Sequence, residues 1–361
     1  MIIRSIELKN FRSYRELKLS FDEKTNIFYG DNAQGKTNIL EAVYLSGTTK
    51  SHRGSKDRDM ICFGEEEGHL RTFIKKGEMD YQIDIHLKKN RTKGIAINGV
   101  PIRKASELFG IANFVFFSPE DLGIIKQGPS ERRRFLDMEL CQLDRVYLHN
   151  LAGYNRVLTQ RNKLLKDFYI REDLRDTLDI WDDQLAEYGS KIIEGREAFI
   201  GQLSEIVYEI HQNLTGGKEK LQISYEKNSS KEELRSRIEQ NRERDLRMKT
   251  SSVGPHRDDL LFLTDSVDIR KFGSQGQQRT AALSLKLSEI ELVKKIIHDT
   301  PVLLLDDVLS ELDQNRQNYL LNSIHDIQTM ITCTGLDEFV NHRFSINKIF
   351  KVIDGSADSE N

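Results

Sequence analysis

Cysteine is scarce in this 361-residue chain, and its three cysteines, Cys62, Cys141 and Cys333, stand far apart. They form no C-x-x-C pair, so the sequence suggests neither a zinc hook nor a disulfide framework. A long charge-free apolar run is also missing, and the first residues do not read as a signal peptide. We therefore expect a soluble, cytoplasmic protein with no membrane partner.

A large excess of charge of either sign is absent too. Charged residues make up 31% of the chain, yet the formal net charge is only −3. This balance argues against a wholly basic nucleic-acid coat, although it leaves room for a local cationic patch. The length is sufficient for two modules.

The clearest positive signal is a P-loop of the form G-x-x-x-x-G-K-[ST]. An apolar strand at residues 27–29 precedes it, and a helical pattern begins at Asn38. Backbone N–H groups and the helix N-terminus would face a bound polyphosphate. We expect Lys36 to reach the β- and γ-phosphates and the Thr37 hydroxyl to ligate Mg²⁺. The complete motif is Gly30, Asp31, Asn32, Ala33, Gln34, Gly35, Lys36 and Thr37.

A second signal is an apolar strand that ends in two carboxylates. Residues 302–305 are apolar, and Asp306 and Asp307 follow them. This pattern predicts a buried strand of a parallel sheet that ends at a site. We expect Asp306 to hold Mg²⁺ through its water shell and Asp307 to orient or deprotonate the attacking water.

A second helix N-terminus suited to phosphate follows Gly273. Ser274 is the predicted N-cap of a long helical pattern, and Gly276 and Gln277 lie in its first turn. One subunit need not direct both helix N-termini at the same phosphate. Two subunits packed head to tail would bring one of each kind onto every nucleotide.

Together these motifs resemble the ABC-type ATPases, and within them the SMC-like group of DNA-repair ATPases. Residues 274–277 resemble the S-G-G-Q signature with Gln at the second position, and residues 310–313 match the D-loop. More narrowly, four segments in order resemble the RecF family of bacterial recombination-repair proteins over nearly the whole chain. These segments are residues 8–14, 117–122, 254–260 and 305–313.

The resemblance implies an ATP-binding, DNA-binding protein of replication-linked gap repair and the SOS response. ATP and Mg²⁺ would be its cofactors, and Lys36, Asp306 and Asp307 its catalytic residues. Arg12 and Ser13 would lie against the adenine or ribose. ATP would join two subunits, with Ser274 of each facing the γ-phosphate on the other, and the homodimer would clamp single-stranded or gapped duplex DNA. RecR and RecO are the partners that the resemblance implies.

The expected fold is α/β, with an ABC-type P-loop ATPase head and an inserted α-helical arm. Residues 1–117 and 251–361 would form the head (lobe I), whose mixed β-sheet core is assembled from both chain ends. Residues 118–250 would form the arm (lobe II), with two long antiparallel helices. The first helix is predicted to begin near Ser130, the connecting turn to lie at residues 171–173, and the second helix to end at residues 215–217.

Two further positions depart from the ABC pattern. The Q-loop position has no Gln, and Glu120 or Asp121 is the candidate for its sensing role. At the usual position of the switch His the chain carries a Thr. Thr332 or Thr334 can hydrogen-bond a γ-phosphate there but cannot act as a cation. We therefore expect slow hydrolysis that is tuned for switching rather than for force.

The sequence allows two interpretations of each of three polar segments. The basic residues 50–58 would touch nucleotide or DNA, or form a solvated loop. The Arg-rich residues 132–134 and 235–249 would contact DNA or form solvated helix faces. Residues 254–259 would form structural salt bridges or face a site. For the whole protein the alternatives are a motor-like or transporter-coupled ATPase and a scaffold with a structural ATP site.

Overall fold

The computed structural model describes residues 1–167, 177–336 and 346–360. The chain divides into two compact units. Unit 1 comprises Met1–Asp121 and Glu289–Asn361, and unit 2 comprises Leu122–Ser288. In the described part of the chain, no helix is both long and apolar enough to cross a membrane. The predicted turn at residues 171–173 lies outside the described residues.

Unit 1 contains two six-stranded sheets. The antiparallel sheet has the order β2-β1-β4-β5-β6-β7, and the nucleotide-type sheet has the order β15-β14-β3-β13-β12-β8. In the second sheet β8, β12, β13, β3 and β14 are parallel, and β15 is antiparallel. The first sheet consists of β1 (Ile2–Phe11), β2 (Tyr14–Ser20), β4 (Glu67–Lys76), β5 (Met79–Lys88), β6 (Gly94–Ile97) and β7 (Val100–Pro101). The second consists of β3 (Thr25–Tyr29), β8 (Phe114–Phe117), β12 (Val302–Asp306), β13 (Thr329–Cys333), β14 (Lys348–Ile353) and β15 (Ser356–Glu360).

The parallel sheet draws its strands from both ends of the chain, as the sequence predicts. β3 pairs with β13, so that Ile27 lies opposite Ile331. Helix α1 (Lys36–Thr48) follows β3 and contacts strands of both sheets, including β4 and β12. All of its residues from Ile39 to Thr48 are buried, because the helix lies between the two sheets. Helix α10 (Gln314–Ser323) follows the acidic strand.

Three long helices stand in unit 2 where the sequence predicts two. The first predicted helix is interrupted at Asp144, which separates α3 (Pro129–Leu143) from α4 (Arg145–Asp167). Asp144 has an extended backbone, and its carboxylate accepts a hydrogen bond from the Val146 N–H at 2.7 Å. This local bond favours a new helix start over continuation. The other helices are α2 (Leu122–Lys126) and α5 (Leu178–Thr215), and α5 ends at Gly216 as predicted.

Unit 2 also contains a three-stranded antiparallel sheet that the sequence analysis does not predict. Its order is β11-β10-β9. Because β10 pairs with β9, the segment after Ser251 is packed within unit 2. The compact units are therefore divided within helix α9 and not at the expected position 250/251. The strands and helices that follow α5 in the chain are β9 (Leu221–Glu226), α6 (Leu234–Gln240), α7 (Arg242–Met248), β10 (Asp259–Thr264), β11 (Val267–Asp268), α8 (Ile269–Phe272) and α9 (Gln275–Ile297).

Candidate nucleotide-binding site and signature helix

The P-loop lies between β3 and α1 in unit 1, and two of its glycines are sterically required. Gly35 has a φ of 111°, and a Cβ there would come within 2.7 Å of the Tyr14 hydroxyl and 2.9 Å of Ser13 Oγ. Gly30 has a φ of 151°, and a Cβ there would collide with the Val352 carbonyl oxygen. Only glycine accepts these conformations without strain, so the loop can curve closely around a ligand.

Lys36 is almost completely buried at the base of this loop. Its Nζ donates to the carbonyl oxygens of Gly30 at 2.6 Å and Asp31 at 2.9 Å. Neutral carbonyls hold the ammonium in place without cancelling its charge. Helix α1 has no side-chain cap at its N-terminus, where Gly35 occupies the N-cap position. A buried cation and an uncapped helix N-terminus together fit a polyphosphate.

Thr37 and the acidic strand meet beside the P-loop. The Thr37 hydroxyl donates to Asp306 Oδ1 at 2.7 Å, and the Thr332 hydroxyl donates to the same oxygen at 2.8 Å. Burial raises the pKa of Asp306, and these two hydrogen bonds act in the opposite direction. The hydroxyl and the carboxylate supply oxygen ligands of the kind that Mg²⁺ prefers.

Asp307 is turned away from the strand by a left-handed backbone. Its φ is 51°, and its N–H donates to Thr332 Oγ1 at 2.9 Å. Asp307 lines a pocket of about 200 Å³ together with Ser310 and Thr334. Thr332 is thus hydrogen-bonded to both acidic residues, and it lines the pocket together with Thr334. Sequence reasoning named Thr332 but missed its hydrogen bonds to the acidic pair.

Arg12 and Ser13 lie near the P-loop, but Arg12 is engaged by protein groups. Its guanidinium forms a bidentate pair with the buried carboxylate of Glu41 on α1, with both distances 2.8 Å. The pKa of Glu41 is lowered overall: burial raises it, but hydrogen bonds from Arg12 and Ser51 outweigh that effect. Ser13 Oγ accepts a hydrogen bond from Asn38 at 3.1 Å. Sequence reasoning missed Glu41, because a carboxylate inside an amphipathic helix usually belongs to a solvated face.

At the predicted sensing position, the two acidic candidates differ. Asp121 Oδ2 accepts a hydrogen bond from the Ser118 N–H at 2.7 Å and so stabilises the turn after β8. Glu120 is exposed. Of the two, Glu120 is the more exposed to solvent, since Asp121 is half-buried.

The signature residues begin α9 in unit 2. Ser274 Oγ accepts from the Gln277 N–H at 3.2 Å, and Gln277 Oε1 accepts from the Ser274 N–H at 2.9 Å. This reciprocal pair is a capping box, and it confirms the predicted N-cap. Ser274 and Gly276 are exposed, and a Cβ on Gly276 would meet no atom closer than Ser274 Oγ at 3.9 Å. The motif is therefore complete within unit 2 and open to solvent.

The polar residues 254–259 form structural contacts within unit 2. His256 Nδ1 lies 2.6 Å from the Tyr154 hydroxyl, and its Nε2 lies 3.0 Å from the Ser251 carbonyl oxygen. Asp259 pairs with Arg132 and, at 2.9 Å, with Arg270. The salt-bridge interpretation of this segment is therefore the one that the structure supports.

The two Arg-rich segments also make contacts inside unit 2. Arg133 donates to the Asp258 carbonyl oxygen at 2.7 Å, and Arg242 pairs with Asp182 at 2.7 Å. Arg235 pairs with Asp183. Many of these charges are therefore already balanced by neighbouring carboxylates.

A P-loop, an acidic strand beside it and a sheet built from both chain ends define a P-loop ATPase head of the ABC and SMC type. The sequence model of the RecF/RecN/SMC N terminal domain family matches residues 2–356. The chain is 64% identical to the DNA replication and repair protein RecF of Agathobacter rectalis, and the match covers 99% of each chain. This chain belongs to the RecF family.

Solved structures agree with this assignment. The fold matches a structure described as the recombination mediator protein RecF-ATP in the RecFOR pathway, with a TM-score of 0.92 and 38% identity over 99% of this chain and 97% of that one. The Smc head domain of Pyrococcus furiosus has a TM-score of 0.57 at 18% identity, over 99% and 95% of the two chains, and this similarity concerns the fold alone. The protein is therefore an ABC-type ATPase of recombinational DNA repair.

Proposed function

We propose that the protein is an ATP-dependent DNA-binding switch. ATP joins two subunits, the dimer clamps DNA that contains a single-stranded gap, and hydrolysis releases it. The observation that supports this most directly is the difference between its two helix N-termini. α1 has a buried cation and no side-chain cap, whereas the exposed signature turn at α9 is already capped by its own residues.

The P-loop, residues 30–37, holds the triphosphate of ATP in this proposal. Lys36 neutralises phosphate charge, and the loop's backbone N–H groups contact phosphate oxygens. Thr37 and Asp306 would hold Mg²⁺, which neutralises charge on the phosphates as the bond to the γ-phosphate breaks. Ser13 and Arg12 border the loop, and Arg12 would reach adenine or ribose only if its pair with Glu41 rearranged.

Hydrolysis is slow in this proposal because the switch position lacks a cation. Asp307 orients or deprotonates the attacking water beside the pocket that it lines. Thr332, which is hydrogen-bonded to Asp306 and to the Asp307 N–H, holds the acidic pair in place. Neither Thr332 nor Thr334 can supply positive charge to the transition state. We expect a turnover of about 1 s⁻¹ or less.

The nucleotide site is completed by the partner subunit's signature turn. Ser274, Gly276 and Gln277 would face the γ-phosphate bound to the other subunit. Gly276 leaves space for close approach, since a Cβ there would stand clear of its surroundings. Binding would exchange the hydrogen bond between Ser274 Oγ and the Gln277 N–H for contacts to phosphate.

DNA and two further proteins complete the proposal. The RecF-ATP structure belongs to the RecFOR pathway, which supports RecO and RecR as partners of this chain. The DNA would be single-stranded or gapped duplex, the site of action the cytoplasm, and the wider role the SOS response.

ATP hydrolysis measured with and without gapped DNA tests this function. We expect weak hydrolysis that DNA stimulates several-fold and that Asp307→Asn abolishes. A scaffold with a structural ATP site would bind ATP without hydrolysing it. A motor-like or transporter-coupled ATPase would turn over well above 1 s⁻¹ or remain indifferent to DNA. Either of these results would contradict the proposal.

A further inference from the structure

A segment of unit 1 exposes several cations, only some of which are paired with carboxylates. We call it the basic segment, residues 50–63, which follows α1. Lys50, Arg53 and Lys56 are exposed, as is Arg91 in the turn between β5 and β6. Within residues 1–167, 177–336 and 346–360, none of these four side chains forms an ion pair. Lys50, Lys56 and Arg91 are therefore available to an anionic partner, whereas Arg53 interacts electrostatically with Asp306 at the nucleotide site.

The basic segment is fixed in position. Arg12 donates to Ser55 Oγ and to the Asp59 carbonyl oxygen, both at 2.7 Å. Lys93 donates to Asp57 at 2.8 Å and thereby ties the β5–β6 turn, which carries Arg91, to the segment. A surface that is ordered before binding loses less conformational entropy when a partner arrives.

An aromatic ring stands fully exposed at the end of the segment. Phe63 has a relative exposure of 101%. The backbone beneath it is ordered, because the Cys62 N–H donates to the Asn10 carbonyl oxygen at 2.9 Å. Gly64 follows with a φ of 90° and open space around it. The fold thus holds a large apolar side chain in solvent, which is costly for a residue without a partner.

Three carboxylates follow Phe63, but each has a partner in the antiparallel sheet. Glu66 pairs with Lys89 at 2.9 Å, and Glu67 lies 2.8 Å from His86. Glu65 accepts a hydrogen bond from Asn10 at 3.5 Å. The acidic side chains therefore have partners on neighbouring strands. Among the described residues, Lys50 and Lys56 of the basic segment pair with no carboxylate, whereas Arg58 lies 3.5 Å from Asp59.

We propose that the basic segment and Arg91 form a DNA-contacting surface, with the cations on backbone phosphates and the Phe63 ring stacked on an unpaired base. Exposed cations beside an aromatic ring are the combination that single-stranded nucleic acid requires. A protein-docking site would surround the ring with further apolar surface, whereas the exposed side chains nearest to it in the sequence, Asp59 and Glu66, are charged. The proposal rests on the DNA binding proposed above and specifies its location.

The surface is connected to the nucleotide site by Arg12. Its guanidinium contacts the basic segment on one side and Glu41 of α1 on the other. Helix α1 begins at the P-loop. A shift of Arg12 would therefore alter both the surface that contacts DNA and the helix that contacts ATP. This link offers a route by which DNA would alter hydrolysis.

The stacking contact is tested by fluorescence anisotropy with a blunt duplex and with the same duplex carrying a single-stranded gap. Both are titrated in the presence of Mg²⁺ and a non-hydrolysable ATP analogue. Phe63→Leu should weaken binding of the gapped DNA about tenfold, since stacking on one base contributes about 1–3 kcal/mol. It should leave the blunt duplex unchanged. Phe63→Tyr should keep the wild-type affinity for both.

The phosphate contacts are tested by the salt dependence of blunt-duplex binding. The triple variant Lys50→Ala, Lys56→Ala and Arg91→Ala should reduce the slope of log affinity against log salt by about 2 to 3, near 0.9 for each phosphate contact. The matched control is Lys24→Ala, Arg156→Ala and Lys295→Ala, which removes three exposed cations elsewhere. This control should keep the wild-type slope.

The outcomes separate this surface from the wider function. A wild-type protein that binds neither DNA with the ATP analogue would contradict DNA binding itself. Wild-type binding that is unchanged in the triple variant and in Phe63→Leu would contradict only the surface. If Phe63→Leu binds gapped DNA normally but no longer binds RecO or RecR, Phe63 is a protein-docking residue and does not stack on a base.

Discussion

Each unit buries a cation, Lys36 in unit 1 and Arg161 in unit 2, but the two cations are satisfied in different ways. In unit 1, Lys36 is 4% exposed and donates to two neutral backbone carbonyls. In unit 2, Arg161 is completely buried and pairs with Asp182 at 2.6 Å and Asp245 at 2.7 Å. A charge that is neutralised inside the protein supports the fold, whereas a charge held by neutral groups is kept for a charged ligand.

The largest expected effect on stability belongs to Arg161. Arg161→Met should lower the free energy of unfolding by about 3–5 kcal/mol, because it leaves Asp182 and Asp245 buried without their cation. Urea denaturation measures the change. The double variant Arg161→Met with Asp245→Asn should recover part of the loss. If Arg161→Met is as stable as the wild type, the ion pairs of Arg161 with Asp182 and Asp245 do not support the fold.

Lys36 should show the opposite pattern. Lys36→Met should reduce ATP hydrolysis by about 100- to 1000-fold, the usual cost of losing a group that stabilises transition-state charge. The free energy of unfolding should change by less than about 1 kcal/mol, since no carboxylate loses a partner. Parallel assays of hydrolysis and urea denaturation check both halves. Severe destabilisation would place Lys36 with Arg161 as a structural residue.

His256 extends the comparison to pH. Burial lowers the pKa of His256 to about 4, with Arg257 and Arg133 acting in the same direction and Ser251 and Asp245 opposing them. The folded protein keeps this ring neutral, while the unfolded chain protonates near pH 6.5. Stability from this site is therefore complete above pH 6.5 and is lost as the pH falls towards 4, by up to about 3 kcal/mol. His256→Gln should flatten this part of the curve of unfolding free energy against pH, and an unchanged curve would contradict the assignment.

The smallest expected effect concerns the cap of α9. Ser274→Ala should destabilise the protein by about 1 kcal/mol, because the Gln277 N–H loses its acceptor. Ser274→Thr, which retains a hydroxyl, should cost less. Thermal unfolding of the three proteins checks the order. If Ser274→Ala impairs ATP-driven assembly far more than it impairs stability, the hydroxyl also acts on the partner's nucleotide.

Much of unit 1 can be predicted from sequence because its signals are local. The P-loop has fixed spacing, and the alternating apolar residues of β1 and β2 are a local signal for two strands, which the structure pairs with Leu8 opposite Leu17. The apolar run before Asp306 likewise predicts a buried strand, and β12 is buried throughout. The partners of the site residues are harder to predict, since Arg12 and Glu41 are far apart in sequence and meet only in the folded chain.

Unit 2 is less predictable for a physical reason. β9 is short, and its partner β10 begins more than thirty residues later, so no local turn marks the pairing. The alternation of Leu221, Ile223 and Tyr225 was the available signal. The helix break at Asp144 coincides with a single side-chain hydrogen bond. The apolar stripe in the sequence continues past Asp144, so the pattern predicts one unbroken helix.

Light scattering tests the ATP-driven composite site most directly. The molar mass of the wild type and of Ser274→Arg would be measured with no nucleotide, with ADP, and with ATP plus Mg²⁺. We predict that the wild type changes from a 41.8 kDa monomer to a dimer only with ATP. Ser274→Arg should bind ATP and remain a monomer. A variant that still dimerises with ATP, or a wild-type mass that ATP does not change, would contradict the composite site.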